Sequence, residues 1–299
     1  MMKKEKINLN AVLILNKPIG MSSNQALQKT KQLMCAKKAG HTGSLDVLAT
    51  GLLPICFGEA TKFSQFLLDA DKHYVTTACL GKKTATADAE GEVLVEKPVP
   101  DLSEEALRAV LKKFLGVIKQ TPPMYSALKH QGQPLYKYAR KGDEIERKPR
   151  EVTIHEIELL SWQKPHLKLK VHCSKGTYIR TLVEDIGEAL DCGAYVNQLH
   201  RTGAGPFGAE QMVTMSELEA HHAGELDIGD KLLPIDSLLV GYPKLMLNDE
   251  QIKQLYFGQA VTHGGDVVKL AALYGAKGFV GTGQIDEHGV LTSCRLISA

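Results

Sequence analysis

The stretch Gly40-His41-Thr42-Gly43-Ser44-Leu45-Asp46-Val47-Leu48-Ala49-Thr50-Gly51 constrains this chain more than any other. Three glycines within twelve residues allow sharp turns and let the backbone come close to another segment or to a ligand. One carboxylate, Asp46, stands among hydroxyls and apolar side chains with no second acid beside it. Such an isolated acid suits a nucleophile better than a solvated surface charge. Local composition by itself favours an ordinary turn, because Gly, Ser, Thr and Asp all favour turns. The wider sequence decides between the two.

A length of 299 residues, 43% of them hydrophobic, suggests about two domains with ample core. The 36 basic and 34 acidic residues leave a net charge of only +2, so a nucleic-acid binder of this composition must gather its positive charge into a patch. Six cysteines (Cys35, Cys56, Cys79, Cys173, Cys192, Cys294) are scattered without metal-ligand spacing. That pattern predicts no structural zinc and a reduced, cytoplasmic setting. The charged opening Met1-Met2-Lys3-Lys4-Glu5-Lys6 is followed by no apolar run long enough for a signal peptide, and nothing is long enough to cross a membrane. With no long exposed apolar pattern, a monomer without a protein partner is the expectation.

Along the chain, residues 11–15 read as a short buried strand ended by Asn16-Lys17-Pro18. Ser22 with Gln25 forms a capping-box pattern, and Ala26, Leu27, Thr30, Leu33 and Met34 recur at helical spacing behind it. His73 to Leu80 reads as a strand, and residues 81–101 as a loop or irregular hairpin. Asp101 with Glu104 suggests the cap of a helix that buries Ala106, Leu107, Val110, Leu111, Phe114 and Leu115. Residues 167–173 alternate, with Leu167, Leu169, Val171 and Cys173 on one face, as in a half-buried antiparallel strand. A helix through Leu182, Ile186 and Leu190 follows, which puts Tyr178 and Arg180 where strand gives way to helix. From about residue 245 the pattern changes to a capped helix, Asn248 to Phe257, and three short strands over 266–273, 278–285 and 290–297.

Beyond the Asp46 run, four further motifs appear in order: Leu15-Asn16-Lys17-Pro18-Ile19-Gly20-Met21-Ser22-Ser23; Gly58-Glu59-Ala60-Thr61-Lys62-Phe63 with His73-Tyr74; Pro123-Met124-Tyr125-Ser126-Ala127-Leu128-Lys129; and Cys173-Ser174-Lys175-Gly176-Thr177-Tyr178-Ile179-Arg180. Together they resemble the TruB-type pseudouridine synthases, which isomerise a uridine in the T-loop of tRNA. The resemblance covers nearly the whole chain. It departs at Val47, where the family pattern has a Pro that would fix its own φ and restrict Asp46.

The resemblance implies an α+β catalytic domain over residues 1–244, built on a mixed, largely antiparallel sheet flanked by helices. It also implies a small C-terminal PUA-like β-barrel over 245–299, entered through Tyr256-Phe257-Gly258-Gln259-Ala260-Val261. Asp46 becomes the nucleophile and Arg180 the guanidinium that keeps it ionised. Tyr74 and Tyr178 become surfaces for an unstacked uracil, with the Tyr74 hydroxyl near the chemistry, and Leu199 lines the base pocket. His41 packs against RNA and replaces stacking lost on flipping. Lys17 and Lys62 contact phosphate, with a further basic segment at Lys137, Arg140, Lys141, Arg147, Lys148 and Arg150 that also reads as a solvated charged face. Asp88 carries a weaker suggestion. The isomerisation oxidises, reduces and hydrolyses nothing, so neither cofactor nor metal is expected. The substrate implied is the tRNA elbow, at position 55. Three other readings stay open: an RNA-folding module without catalysis, a hydrolase of the same glycosidic bond, and a synthase acting at another RNA site.

Overall fold

The computed structural model describes residues 5–298; residues 1–4, with the start of the charged opening, lie outside the described residues. The protein is built on a nine-stranded sheet. Its strands are β1 (Val12–Lys17), β2 (Ala39–His41), β3 (Thr50–Phe57), β4 (Lys72–Leu80), β5 (Gly116–Gln120), β6 (Arg150–Gln163), β7 (His166–Cys173), β8 (Ala194–Ala204) and β9 (Met212–Thr214). The order is β9-β1-β3-β8-β4-β7-β6-β5, with β2 paired to β3. The pairs β1–β9 and β3–β8 are parallel and the rest antiparallel.

Burial follows the sequence pattern. Leu167, Leu169, Val171 and Cys173 of β7 enter the main core with Ala78 and Leu80 of β4. Opposite them pack three helices: α1 (Ser23–Leu33), α2 (Glu104–Lys112) and α3 (Ile179–Ala189). The predicted capping box on α1 forms, with Ser22 accepting from Gln25 N–H while the Gln25 side chain accepts from Ser22 N–H. The cap of α2 is instead Ser103, whose hydroxyl accepts from Ala106 N–H, because the chain turns helical at Glu104. That helix ends at Lys112, so Leu107 and Leu111 are core while Ala106 and Leu115 face solvent. Strand β1 runs two residues further than expected, through Lys17, since its backbone keeps pairing with β3 until Pro18, which has no N–H to donate.

Register fixes which residues share a face. Tyr74 lies opposite Val171 on β7 and Arg201 on β8, while His73 lies opposite His172. Successive side chains of a strand point to opposite faces, so Tyr74 and His73 serve different sides of the sheet. Residues 82–84 and 93–96 form the expected irregular hairpin.

The last part of the chain forms a five-stranded sheet in the order Lys244–Met246, Val268–Gly275, Gly278–Ile285, Val290–Leu296, Val261–Thr262. A helix, Asp249–Tyr256, packs with it, capped by Asn248 and Gln251 as the sequence indicates. Phe279 and Ile297 of this part pack into the cluster of Val12, Ile14 and Phe63, and the rings of Phe63 and Phe279 meet edge to face at 5.3 Å. Among the described residues, no helix is long and apolar enough to cross a membrane.

Candidate active site

Asp46 sits on the loop that joins β2 to β3, and neighbours hold this loop from several sides. Ser23, the first residue of α1, accepts Leu45 N–H at 2.7 Å and donates to Leu45 O at 3.0 Å. Gly20 N–H donates to Val47 O, and Lys17 Nζ reaches the same carbonyl at 3.4 Å. Arg201 Nη2 donates to Gly43 O at 2.9 Å, and its Nε to Leu52 O at 2.6 Å. The pins at position 47 act through a carbonyl, which Val supplies as well as Pro. Gly51 closes the loop at φ +98°, with the Arg201 backbone so near that a Cβ there would sit 2.9 Å from Arg201 N.

Arg180 stands in the first turn of α3 and is 3% exposed. It approaches Asp46 with two nitrogens, Nε at 2.9 Å from Oδ2 and Nη2 at 3.2 Å from Oδ1. This is the two-pronged geometry that only a guanidinium offers a carboxylate. Its remaining donors go to Tyr125 O at 2.7 Å and Thr86 O at 3.0 Å. A second buried acid, Asp88, lies 3.7 Å from Nη1 and accepts from Thr86 Oγ1 and Glu90 N–H. The Asp46 side chain keeps 39% of its surface, all the more telling beside its buried partner, because it faces a cleft. Crowding by protein atoms pushes the Asp46 carboxyl above its ordinary value of 3.8; Arg180 opposes this, and Asp88 adds to it.

The cleft over Asp46 has a volume of about 410 Å3. Tyr74, Tyr178, Leu199 and Arg180 line it together with Arg201. A second basin of about 690 Å3 adjoins it across Asp46 and contains His41, Asp88, Tyr125, Tyr136 and Arg140. Both volumes lie in the range of pockets that enclose small molecules. Tyr74 is buried, which holds its phenol above the ordinary value despite the opposing charge of Arg201; at neutral pH it is protonated. Burial, and after it Arg201, holds His41 below its ordinary value, so its ring is neutral at pH 7. Tyr178 caps α3, and both of its backbone groups bond to the Gln120 side chain, N–H to Oε1 at 3.0 Å and O from Nε2 at 3.2 Å. The Arg150 guanidinium covers the Tyr178 ring at 5.0 Å.

The structure therefore brings Asp46, Arg180, Tyr74, Tyr178 and Leu199 to one cleft and His41 to its annex. One expectation needs correction. Lys17 has no exposed surface: its ammonium donates to Met21 O at 2.6 Å and Pro18 O at 2.9 Å, besides Val47 O. Burial lowers its pKa to about 8, which still leaves it charged at neutral pH, and it shapes the loop instead of contacting phosphate. Lys62 bonds Glu59 at 2.6 Å, Leu296 O at 3.1 Å and Ser298 Oγ at 3.3 Å, so it ties the first sheet to the end of the chain. Sequence reading missed Arg201 and Arg150 as parts of the cleft, and Gln120 as the side chain that holds the Tyr178 backbone. Arg150 reads in the sequence only as part of the basic segment, and no local pattern marks Arg201 or Gln120, since each acts through backbone groups remote in sequence.

Comparison with known structures first gives the class. The fold matches a chain of the structure described as "Crystal Structure of a Cbf5-Nop10-Gar1 Complex" with a TM-score of 0.70 and 27% identity, over 92% of this chain and 78% of that one. A chain of the "Crystal structure of the archaeal box H/ACA sRNP Nop10-Cbf5 complex" matches at 0.72 and 25% identity, over 98% and 86%. Residues 31–179 match the TruB family pseudouridylate synthase N terminal domain, and residues 180–240 and 243–297 match two C-terminal domains of the same family. A Pseudomonas fluorescens (strain Pf0-1) protein named tRNA pseudouridine synthase B is 53% identical over 300 residues, covering 99% of this chain and 98% of its own length. One of the same name from Coxiella burnetii (strain RSA 493 / Nine Mile phase I) is 50% identical over 297 residues, covering 97% and 95%. The chain belongs to the TruB family of pseudouridylate synthases and is an enzyme of that kind.

Proposed function

We propose that this enzyme converts uridine to pseudouridine at position 55, in the T-loop of tRNA, with Asp46 as nucleophile on a flipped-out nucleotide. The observation that carries this reading is the paired contact of Arg180 with Asp46 at the floor of the cleft. The name shared by the relatives supports tRNA as the substrate class. The reaction breaks C1′–N1 and forms C1′–C5; the C5 proton is lost and N1 gains one. Atoms balance without oxidant, reductant or added water, so the reaction calls for no redox or hydrolytic co-reactant.

Asp46 attacks C1′ or C6, or removes a proton on the way to an enzyme-held glycal; each needs an ionised carboxylate, which Arg180 supplies. Tyr74, Tyr178 and Leu199 form the walls that hold the freed uracil while it turns. The protonated Tyr74 phenol offers a donor to the base edge. Extruding the nucleotide costs a few kcal/mol, and stacking on a ring returns roughly 1–3 kcal/mol of it. His41, in the annex, is the ring we assign to the vacated stack. Residues 1–244 form the catalytic domain in this reading, and residues 245–299 form a PUA-like module that adds RNA contact. The enzyme acts as a monomer in the cytoplasm.

The test is pseudouridine mapping in an unmodified tRNA transcript incubated with the protein or with Asp46→Asn. One modified T-loop position with the parent protein, absent with the variant, supports the proposal. Modification elsewhere overturns the site; free uracil in the reaction overturns isomerisation in favour of hydrolysis; equal tRNA binding without any modification leaves a folding module.

A further inference from the structure

On the side of the sheet away from Tyr74, three histidines and one aspartate meet outside the cleft. His155 Nε2 lies 3.2 Å from Asp71 Oδ2, and His172 Nε2 lies 3.8 Å from the same oxygen. One donor atom from each of Asp71, His155 and His172 falls within 4.8 Å of the others. The His155 and His172 rings sit 4.6 Å apart, and His73 stacks on His172 at 4.0 Å with the planes 16° apart.

We propose that Asp71, His155 and His172 bind a divalent d-block cation, zinc foremost, with solvent in the fourth position.

Zinc held by nitrogen and oxygen at about 2.0–2.2 Å requires neighbouring donors roughly 3.3–3.5 Å apart in a tetrahedron. The two observed separations bracket that edge, so modest side-chain rotation completes the site. Two imidazoles and one carboxylate favour zinc and its neighbours over magnesium or calcium, which prefer an all-oxygen shell. The backbone already points these groups together. A bulge between Ile154 and Glu156 leaves His155 without a partner in the register and turns it toward His172 on β7. Asp71 precedes β4, and its carbonyl accepts Gly205 N–H at 2.9 Å, which fixes the third donor. The stacked His73 ring holds the plane of His172. The three donors keep 28–47% of their side-chain surface, so an ion enters from solvent. Bound there, it clamps the β6–β7 hairpin to the residues leading into the strand of Tyr74.

Tag-free protein is titrated with Co2+ and then with Zn2+. One equivalent of Co2+ is expected, with visible d–d bands and no thiolate charge-transfer band, and Zn2+ displaces it. His155→Gln and His172→Gln each weaken binding at least tenfold, and Asp71→Asn does likewise. All three keep the parent melting temperature in EDTA, and only the parent gains stability with rising Zn2+ concentration. Binding that persists in the variants, a thiolate signature pointing to the exposed Cys294, or no uptake by the parent overturns the proposal.

Discussion

Arg180 meets Asp46 with two nitrogens of one rigid fork, so the loss on substitution comes from geometry more than from charge. Arg180→Lys keeps the positive charge but cannot occupy both carboxylate oxygens and the carbonyls of Tyr125 and Thr86 at once. We expect kcat/KM to fall on the order of 100-fold, the size of effect that a misplacement of about 1 Å produces, as read in single-turnover assays on tRNA transcripts. The pH profile follows from the same pair. The carboxyl of Asp46 is raised above 3.8, and the chemistry needs it ionised. The acid limb of kcat/KM therefore has its midpoint above the ordinary carboxylate value, and weakening the Arg180 contact shifts that midpoint further up. A midpoint at or below 3.8, or one that Arg180→Lys moves down, contradicts the assignment of Asp46.

At the scale of elements, the catalytic loop is a short connection made rigid by its neighbours. Helix α1 contributes most directly, through Ser23 and both backbone groups of Leu45. Ser23→Ala leaves Leu45 N–H buried without its partner, which costs about 1–3 kcal/mol. The expected result is a matching drop in unfolding free energy in urea, together with a lower kcat, because the loop that carries Asp46 loosens. A variant with unchanged kcat would mean that the remaining pins, from Lys17, Gly20 and Arg201, suffice. The helix that carries Arg180 is positioned by a different device, the Gln120 side chain bonded to both backbone groups of Tyr178. The elements themselves were largely legible: α1 and its cap, the alternation of β7 and the C-terminal helix all stand where periodicity puts them. The cap of α2 was misplaced by two residues, since Asp101 and Ser103 are both good caps and only the path of the chain chooses between them.

For the whole molecule, the basic residues divide into two groups that sequence alone treats as one. Lys17 is spent inside the protein on loop carbonyls, and the part-exposed Lys62 is tied to Glu59 and the end of the chain. Arg140 is exposed beside the annex, with its guanidinium 5.5 Å over the Tyr136 ring. Arg140→Ala should therefore reduce the slope of log K for tRNA against log salt by about one. Lys62→Ala should leave that slope unchanged and instead lower the melting temperature, because it loosens the tie between the two sheets. Filter binding across a salt series, beside calorimetry, distinguishes the two; a lost phosphate contact for Lys62 would appear as a shallower slope.

Sequence by itself determined the chemistry available and most local structure. A lone acid in a glycine-rich loop, motifs in family order, helix caps and strand alternation depend on residues close together in the chain, where propensity and periodicity act directly. Tertiary structure alone decided which charges are free. Lys17 lies in a family motif and looks like a phosphate ligand, but pairing of β1 with β3 turns its ammonium inward. Arg201 and Gln120 show no local signature, and they meet the Asp46 loop and the start of α3 only because β8 and β5 bring distant segments beside them. The physical reason is the same in each case. A buried polar group must find hydrogen-bond partners, and which partners lie within reach is set by strand order and register, which join residues far apart in sequence.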